Sequence, residues 1–291
     1  MIGIDWGTSS LRAYRLGEDG RVREKRDGAH GILTVPAGGF PDALRRVVGD
    51  WLADGERRVL LCGMVGSRQG WVEAPYLPCP AGPAEIAAAL TPVPFADAET
   101  RLVPGLVTRD AGGVPDVMRG EETKLLGLLA AGVAGQVCLP GTHSKWVRLA
   151  GGRVTGFATH MTGEVRAVLL AHSILGRLAA AGEAAFAPAA FGRGVARSGE
   201  AGGLLHHAFG TRGLGLLGEL GEAETASYLS GLLIGHEVRA ALRPGEPVHL
   251  AAAETLAAPY QAALRLLGAE CRMHDPDIVV AGLVGIGRHW A

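Results

Sequence analysis

The sequence predicts a duplicated α/β fold of two lobes, and three observations point to it. A succession of strand, glycine-and-hydroxyl turn, strand, tight turn, strand occurs twice. The two copies lie 134 residues apart, with Gly7-Thr8-Ser9-Ser10 and Gly141-Thr142-His143-Ser144 at matching places. Short apolar runs that read as buried strands are interspersed with helical patterns in both halves, the signature of an α/β chain.

The 291 residues leave room for one large or two medium domains. With 48% hydrophobic and 20% charged residues, the chain can bury a sizeable core. The formal charge is −1, from 28 basic and 29 acidic residues without long runs of either sign, so a phosphate-neutralising nucleic-acid binder is not expected. Cys62, Cys79, Cys138 and Cys271 are far apart and form no C-x-x-C pair; they read as reduced thiols rather than a disulfide frame or a zinc site. Met1-Ile-Gly-Ile-Asp5 has no basic segment ahead of an apolar stretch, unlike a secretory signal. The longest uncharged stretch, after Lys124, is broken by Gln136 and by Pro140-Gly141, so a buried helix and a strand are expected there and no membrane span. A cytoplasmic protein is the expectation.

In chain order, Ile2-Gly3-Ile4 opens the first strand and the turn at 7–10 follows. An alternating strand runs from Leu11 to Leu16, and Gly17-Glu18-Asp19-Gly20 closes a hairpin into a strand from Val22. Val59-Leu60-Leu61-Cys62 reads as a buried strand, followed by a Pro-rich stretch from Pro75 to Pro94. Asp110-Ala-Gly-Gly-Val-Pro-Asp116 has linker composition, which sets a first lobe at 1–112 and a second at 113–291. Helical patterns cover 121–131, 164–181, 223–242 and 256–267, with helix and loop elaboration over 179–190. The second lobe repeats the opening grammar at 137–139, 145–149 and 153–159, and strands are expected at 248–251 and 278–281.

The two turns suit phosphate binding, because glycine admits close backbone approach and exposed N–H and hydroxyl groups donate to an anion. Asp5, at the end of the first strand, would stand beside such phosphates and could hold Mg²⁺ directly or through its waters. Glu121-Glu122 open a helix that leads into the second turn; a base near a phosphoryl acceptor would come from such a place. Gly63 to Trp71 follows a buried strand, where ligand loops sit in open sheets. Within it Arg68 offers a fork to a carboxylate, Gln69 can bond hydroxyls and Trp71 offers an apolar wall. Gly213-Leu-Gly215-Leu-Leu-Gly218 follows no clear strand and is not read as a dinucleotide loop. His206 and His207 are adjacent, with no third ligand near them in the sequence, and are not read as a metal site. The Walker G-x-x-x-x-G-K-[ST] pattern is absent from the sequence.

Taken together, Ile4-Asp5-Trp6-Gly7-Thr8-Ser9-Ser10, Gly63 to Trp71, Met118-Arg119-Gly120-Glu121-Glu122-Thr123, Leu139-Pro140-Gly141-Thr142-His143-Ser144-Lys145-Trp146 and Phe157 to Glu164 resemble the 2-dehydro-3-deoxygalactonokinase family. This family lies within the actin-like ATPase and sugar kinase superfamily, and the likeness covers nearly the whole chain. The resemblance implies two ribonuclease H-like lobes around a nucleotide cleft, with ATP and Mg²⁺ as cofactors and a sugar acid as acceptor. It implies phosphorylation of 2-dehydro-3-deoxy-D-galactonate to its 6-phosphate in galactonate catabolism, with no nucleic-acid or membrane partner and a homodimer left open. Gly7, Thr8, Ser9 and Ser10, with Gly141, Thr142, His143, Ser144 and Lys145, would contact the nucleotide. Arg68, Gln69 and Trp71, helped by Arg119 or Arg166, would receive the sugar acid. Glu121 falls where the more distant glycerol-type sugar kinases carry a catalytic Asp, which makes it the expected base, with Glu122 in reserve. One departure is Ala251-Ala252-Ala253, where the superfamily's adenosine motif usually carries glycines. The alternatives are a kinase for another sugar, or a nucleotide-binding regulator without catalysis.

Overall fold

The computed structural model describes residues 1–28, 30–180, 182 and 184–290. The chain divides into two compact units. Unit 1 holds Met1–Ala134, Arg148–Phe157 and Pro276–Ala291, and unit 2 holds Gly135–Val147 and Ala158–Asp275.

Unit 1 begins with β1 (Ile2–Trp6), β2 (Leu11–Leu16), β3 (Val22–Gly28), α1 (Phe40–Ala53) and β4 (Arg58–Cys62). It continues through β5 (Tyr76–Pro78), α2 (Pro83–Ala88), β6 (Thr91–Val93), β7 (Glu99–Leu102), β8 (Gly105–Arg109), β9 (Pro115–Met118) and α3 (Glu121–Ala130). The main sheet has the order β3-β2-β1-β4-β7-β6, and β5-β8-β9 form a separate small sheet. β1 pairs antiparallel with β2 and parallel with β4, so its C-terminal end opens beside that of β4.

Side chains alternate along β1, as the pleat requires. Ile2, Ile4 and Trp6 enter a core with Phe40, Leu44, Val48 and Trp51, which recur at helical spacing on one face of α1. Gly3 and Asp5 point to the opposite face, where a Cβ at Gly3 would come 2.8 Å from the Leu283 side chain. Burying each large apolar side chain in such a core stabilises by roughly 1.5–3 kcal/mol. Leu283 belongs to α9 (Val279–His289), which lies beyond unit 2 in sequence yet packs on α3. The contact needs Gly282, since a Cβ there would meet the Thr123 carbonyl at 1.8 Å.

Unit 2 carries β10 (Gly135–Leu139), β11 (Ser144–Ala150), β12 (Arg153–His160), α4 (Thr162–His172), α5 (Pro188–Arg197), α6 (Gly203–Leu216), α7 (Glu222–Ala241), β13 (Val248–Ala251), α8 (Glu254–Leu266) and β14 (Cys271–His274). The outer part of the β11–β12 hairpin, Arg148–Phe157, groups with unit 1. The strand order is β12-β11-β10-β13-β14, with β10, β13 and β14 parallel. Read from first to fifth strand, this is the order 3-2-1-4-5. Unit 1 shows the same order in β3-β2-β1-β4-β7, so the duplication expected from the turns is present in the topology. α7 is the central helix, with 12 of its 20 residues buried. Cys138, Trp146, Phe191, Ile234, Leu250 and Tyr260 belong to the core between sheet and helices.

Three expectations are corrected. Residues 278–281 are not a strand: Ile278 ends a short 3-10 turn and 279–281 open α9, whose buried Val279, Leu283 and Ile286 follow a helical repeat. The stretch 110–116 is no linker, because it closes the β8–β9 hairpin. The Asp110 carboxylate accepts the N–H groups of Gly112 and Val114, and the chain leaves unit 1 at Ala134 instead of at 112. The helix expected over 164–181 ends at His172, where the Ser173 hydroxyl donates to the Leu169 carbonyl and accepts from the Leu175 N–H. Gly213 and Gly215 lie inside α6, which rules out a dinucleotide turn there. The four cysteines are free thiols. Among the described residues, no helix is long and apolar enough to cross a membrane.

Candidate active site

In unit 1, three chain segments converge on the C-terminal ends of β1 and β4. Gly63 leaves β4 with φ +97°, and its missing Cβ would sit 2.7 Å from the Trp6 carbonyl and 3.3 Å from Asp5 Oδ1. Gly120, with φ +105°, comes against Gly63, its absent Cβ falling 3.2 Å from Gly63 Cα. Both positions need the left-handed backbone that glycine adopts without a Cβ clash. Asp5, the β4 exit and the N-terminus of α3 therefore share one corner.

Asp5 lies half-buried there, and burial pushes its carboxyl above the usual range against the opposing pull of Lys124 and Arg12. Arg12 Nη1 is 4.0 Å from Asp5 Oδ2. Among the described residues no cluster of three or more His, Cys, Asp or Glu side chains could hold a metal alone. A nucleotide-borne Mg²⁺ needs no such cage, since one or two carboxylates plus waters and phosphate oxygens complete its shell.

The two acids at the start of α3 differ in kind. Glu122 is fully buried; its Oε2 accepts the Gly120 N–H at 2.6 Å, and burial with the Glu121 charge pushes its pKa up to about 8. Glu121 is partly buried as a whole, but its Oε2 is shielded from solvent and has no hydrogen-bond partner. Arg119 is 8% exposed, stacks its guanidinium 4.4 Å from the centre of the Tyr76 ring, and donates from Nη2 to the Ala74 carbonyl at 2.7 Å. Its Nε and Nη1 are buried without partners, and Nη1 lies against Gly66. Arg119 thus sits beneath the loop that runs from Gly63 to Ala74.

On that loop Arg68 projects into solvent and pairs with Glu73 at 3.0 Å, and Gln69 is exposed. Trp71 turns inward, stacking on Phe40 with ring centres 6.1 Å apart and meeting Phe95 edge-on at 5.9 Å. Its ring anchors the loop to the core, so the apolar wall expected of it is largely taken up by packing. In the first turn the Gly7 N–H donates to the Ser10 carbonyl at 2.9 Å, while Thr8, Ser9 and Ser10 are exposed. The Gly7 and Thr8 carbonyls accept from Ile32 and Leu33, which pins the turn.

In unit 2 the second turn borders a cavity of about 590 Å³, lined by Gly141 and Thr142 of the turn and by residues of α4, α7 and α8. The Glu164 N–H donates to the Thr142 carbonyl at 3.0 Å, which fixes the start of α4 on the turn. His143 is hydrogen-bonded to the Glu164 carboxylate. Arg166 lines the cavity and donates from Nε to Ser230 Oγ at 2.6 Å, so it lies with the second turn in unit 2. Lys145 is 5% exposed. Ser144 departs from the expectation of a phosphate donor: it is fully buried, and its hydroxyl faces the Tyr260 phenol at 2.6 Å. The strand begins at Ser144, and alternation turns that side chain inward.

Sequence reasoning missed three neighbours. Arg12 was available to it, since a hairpin around a turn at 7–10 sets Arg12 directly opposite Asp5. Lys124 follows Glu121 by one helical turn, a spacing that places both on one side of α3. Tyr260 is 116 residues from Ser144 and has no local signal. His207 bonds His236 at 3.0 Å and the Ala201 carbonyl, a buried structural pairing.

The family described as 2-keto-3-deoxy-galactonokinase matches residues 5–286 of the chain. DgoK1 of Rhizobium meliloti (strain 1021), which carries a 2-dehydro-3-deoxygalactonokinase name, is 42% identical over 293 residues, covering 98% of this chain and 95% of its own. The 2-dehydro-3-deoxygalactonokinase of Escherichia coli (strain K12) is 35% identical over 273 residues, covering 92% of this chain and 90% of its own. A crystal structure from Sinorhizobium meliloti, also under a 2-dehydro-3-deoxygalactonokinase name, is similar with a TM-score of 0.90 at 42% identity, covering 99% of this chain and 98% of that one.

Proposed function

The chain belongs to the 2-keto-3-deoxy-galactonokinase family, and on that premise we propose that it transfers the γ-phosphoryl group of ATP to the 6-hydroxyl of 2-dehydro-3-deoxy-D-galactonate. The observation that carries the assignment of roles is the contrast at the start of α3. Glu121 keeps its Oε2 shielded from solvent and without a hydrogen-bond partner, while Glu122 is fully buried and bonded to the Gly120 backbone.

Glu121 is the base that takes the proton from the attacking hydroxyl. Glu122, largely protonated at neutral pH, holds the Gly120 turn and so aims Glu121. Asp5 is the residue that would hold Mg²⁺, which when bound supplies charge neutralisation at the phosphates. Catalysis rests on positioning and charge stabilisation, because a loose phosphoryl-transfer transition state needs little covalent chemistry.

Arg68 receives the sugar-acid carboxylate. Its present partner Glu73 is a solvent-exposed ion pair, a type worth only about 0–1 kcal/mol and readily exchanged for a ligand. Gln69 stands next to it for a hydroxyl. Arg119 supports the loop from beneath, and Trp71 anchors it. The cavity of unit 2 takes the nucleotide, with Gly141, Thr142 and Arg166 toward its phosphates. In unit 1 the exposed hydroxyls of Thr8, Ser9 and Ser10 are groups that can donate to phosphate oxygens. Ala251 to Ala253 line up ahead of α8 where glycines would admit closer approach, which leaves the side chains of α8 to contact the nucleoside.

A coupled ADP-release assay on a panel of acceptors tests this reading. Turnover with 2-keto-3-deoxy acids and little with neutral hexoses is the expected result. Equal turnover of neutral sugars would overturn the acceptor class, and no ADP release with any acceptor would overturn the kinase reading.

A further inference from the structure

A buried polar chain in unit 2 runs from the second turn to the centre of the fold. Ser144 Oγ lies 2.6 Å from the Tyr260 phenol oxygen, Tyr260 donates to Glu237 Oε2 at 2.8 Å, and the Trp146 indole N–H donates to Glu237 Oε1 at 2.8 Å. Tyr260 has one hydroxyl proton, and Glu237 receives it. The Ser144 hydroxyl must then donate to the Tyr260 oxygen, so its proton points inward and is withheld from the nucleotide. Burial and the Glu237 carboxylate push the phenol well above its usual range, which keeps that proton in place.

Tyr260 also lines the same cavity as Gly141 and Thr142. One side chain of α8 therefore touches the space where a ligand would lie and, through Ser144, the end of the turn. Buried networks of this kind, when every member is satisfied, hold a single geometry.

We propose that Tyr260 is a positioning residue for nucleotide binding: through Ser144 it fixes the 141–144 turn against the cavity, so that the turn's backbone donors are set before the nucleotide arrives. The proposal rests on the reading of the unit 2 cavity as the nucleotide pocket. It gives the Ser144-Tyr260-Glu237 chain a role in ATP affinity and none in acceptor recognition.

Tyr260→Phe keeps the ring and removes both hydrogen bonds, and Ser144→Ala removes the shared bond while leaving Tyr260 on Glu237. Each variant is expected to raise the KM for ATP about tenfold, the loss of one buried hydrogen bond, with the KM for the keto-deoxy acid unchanged. Because both break the same link, the double variant should be little worse than the weaker single one. If Tyr260→Phe proves too unstable to assay, Ser144→Ala alone carries the test. A normal KM for ATP in Ser144→Ala, equal losses in both KM values, or effects that multiply in the double variant would each overturn the proposal. The underlying pocket reading is checked separately by calorimetric ATP binding to Leu256→Trp, which fills the cavity from a half-exposed position. Undiminished ATP binding there would remove the pocket assignment itself, whatever the Tyr260 and Ser144 variants do.

Discussion

Glu122 accepts the Gly120 backbone N–H at 2.6 Å, which turns the buried acid back onto the turn that precedes its own helix. Its neighbour Glu121 keeps an oxygen without a partner. Adjacent residues on a helix point about 100° apart, and here that angle separates an acid bonded to the backbone from one whose buried Oε2 has no partner.

Glu121→Gln should therefore lower kcat by on the order of 10²-fold or more, the usual worth of a general base, with little change in either KM. Glu122→Gln, which can still accept the Gly120 N–H, should lose far less. Steady-state kinetics of both variants decides the matter, and the reverse ranking would exchange their roles.

Burial raises the Glu122 pKa from 4.5 to about 8. A raised folded-state pKa means that the folded protein binds the proton more tightly than the unfolded chain. This contribution to stability is fully present below about pH 4.5 and is lost as the pH rises toward 8. Glu122→Gln should remove that decline, so the variant gains on the parent most clearly at pH 8–9. Urea midpoints measured from pH 5 to pH 9 check it, and parallel profiles would contradict the buried, protonated acid.

Asp5→Asn should cost on the order of 10²-fold in kcat through lost charge stabilisation. It should also raise the Mg²⁺ concentration needed for half-maximal rate. A metal titration at saturating ATP and acceptor reads both effects.

Arg68→Ala should raise the KM for the sugar acid about tenfold or more while leaving the KM for ATP near normal, as expected for one charge-assisted contact. Arg166→Ala should do the opposite, because its side chain lines the unit 2 cavity. Initial-rate matrices in both substrates separate the two arginines.

Much of the fold was legible in the chain because the recurring turn marks the start of each unit, and glycine, hydroxyl and Asp-Gly signals act over a few residues. What failed was decided at longer range. The β-branched Ile278-Val279-Val280 reads locally as a strand, and only the spacing to Leu283 and Ile286, against α3, shows a helix. Asp110 to Asp116 has the composition of a linker and of a turn alike, and the pairing of β8 with β9 chooses the turn. At the candidate site, the place of Asp5 at the end of β1, of Glu121 at the start of α3 and of the exposed hydroxyls on the first turn were readable from local signals. The inward commitment of Ser144 was not, because it depends on Tyr260, and the packing of Trp71 depends on Phe40 and Phe95.

The docking of α9 onto α3 has a consequence for biosynthesis. Ribosomes deliver the N-terminal strands first, yet the helix that covers Gly3 of β1 is translated only after unit 2. At about 5–20 residues per second, the nascent N-terminal sheet waits roughly 7–30 s for its cover.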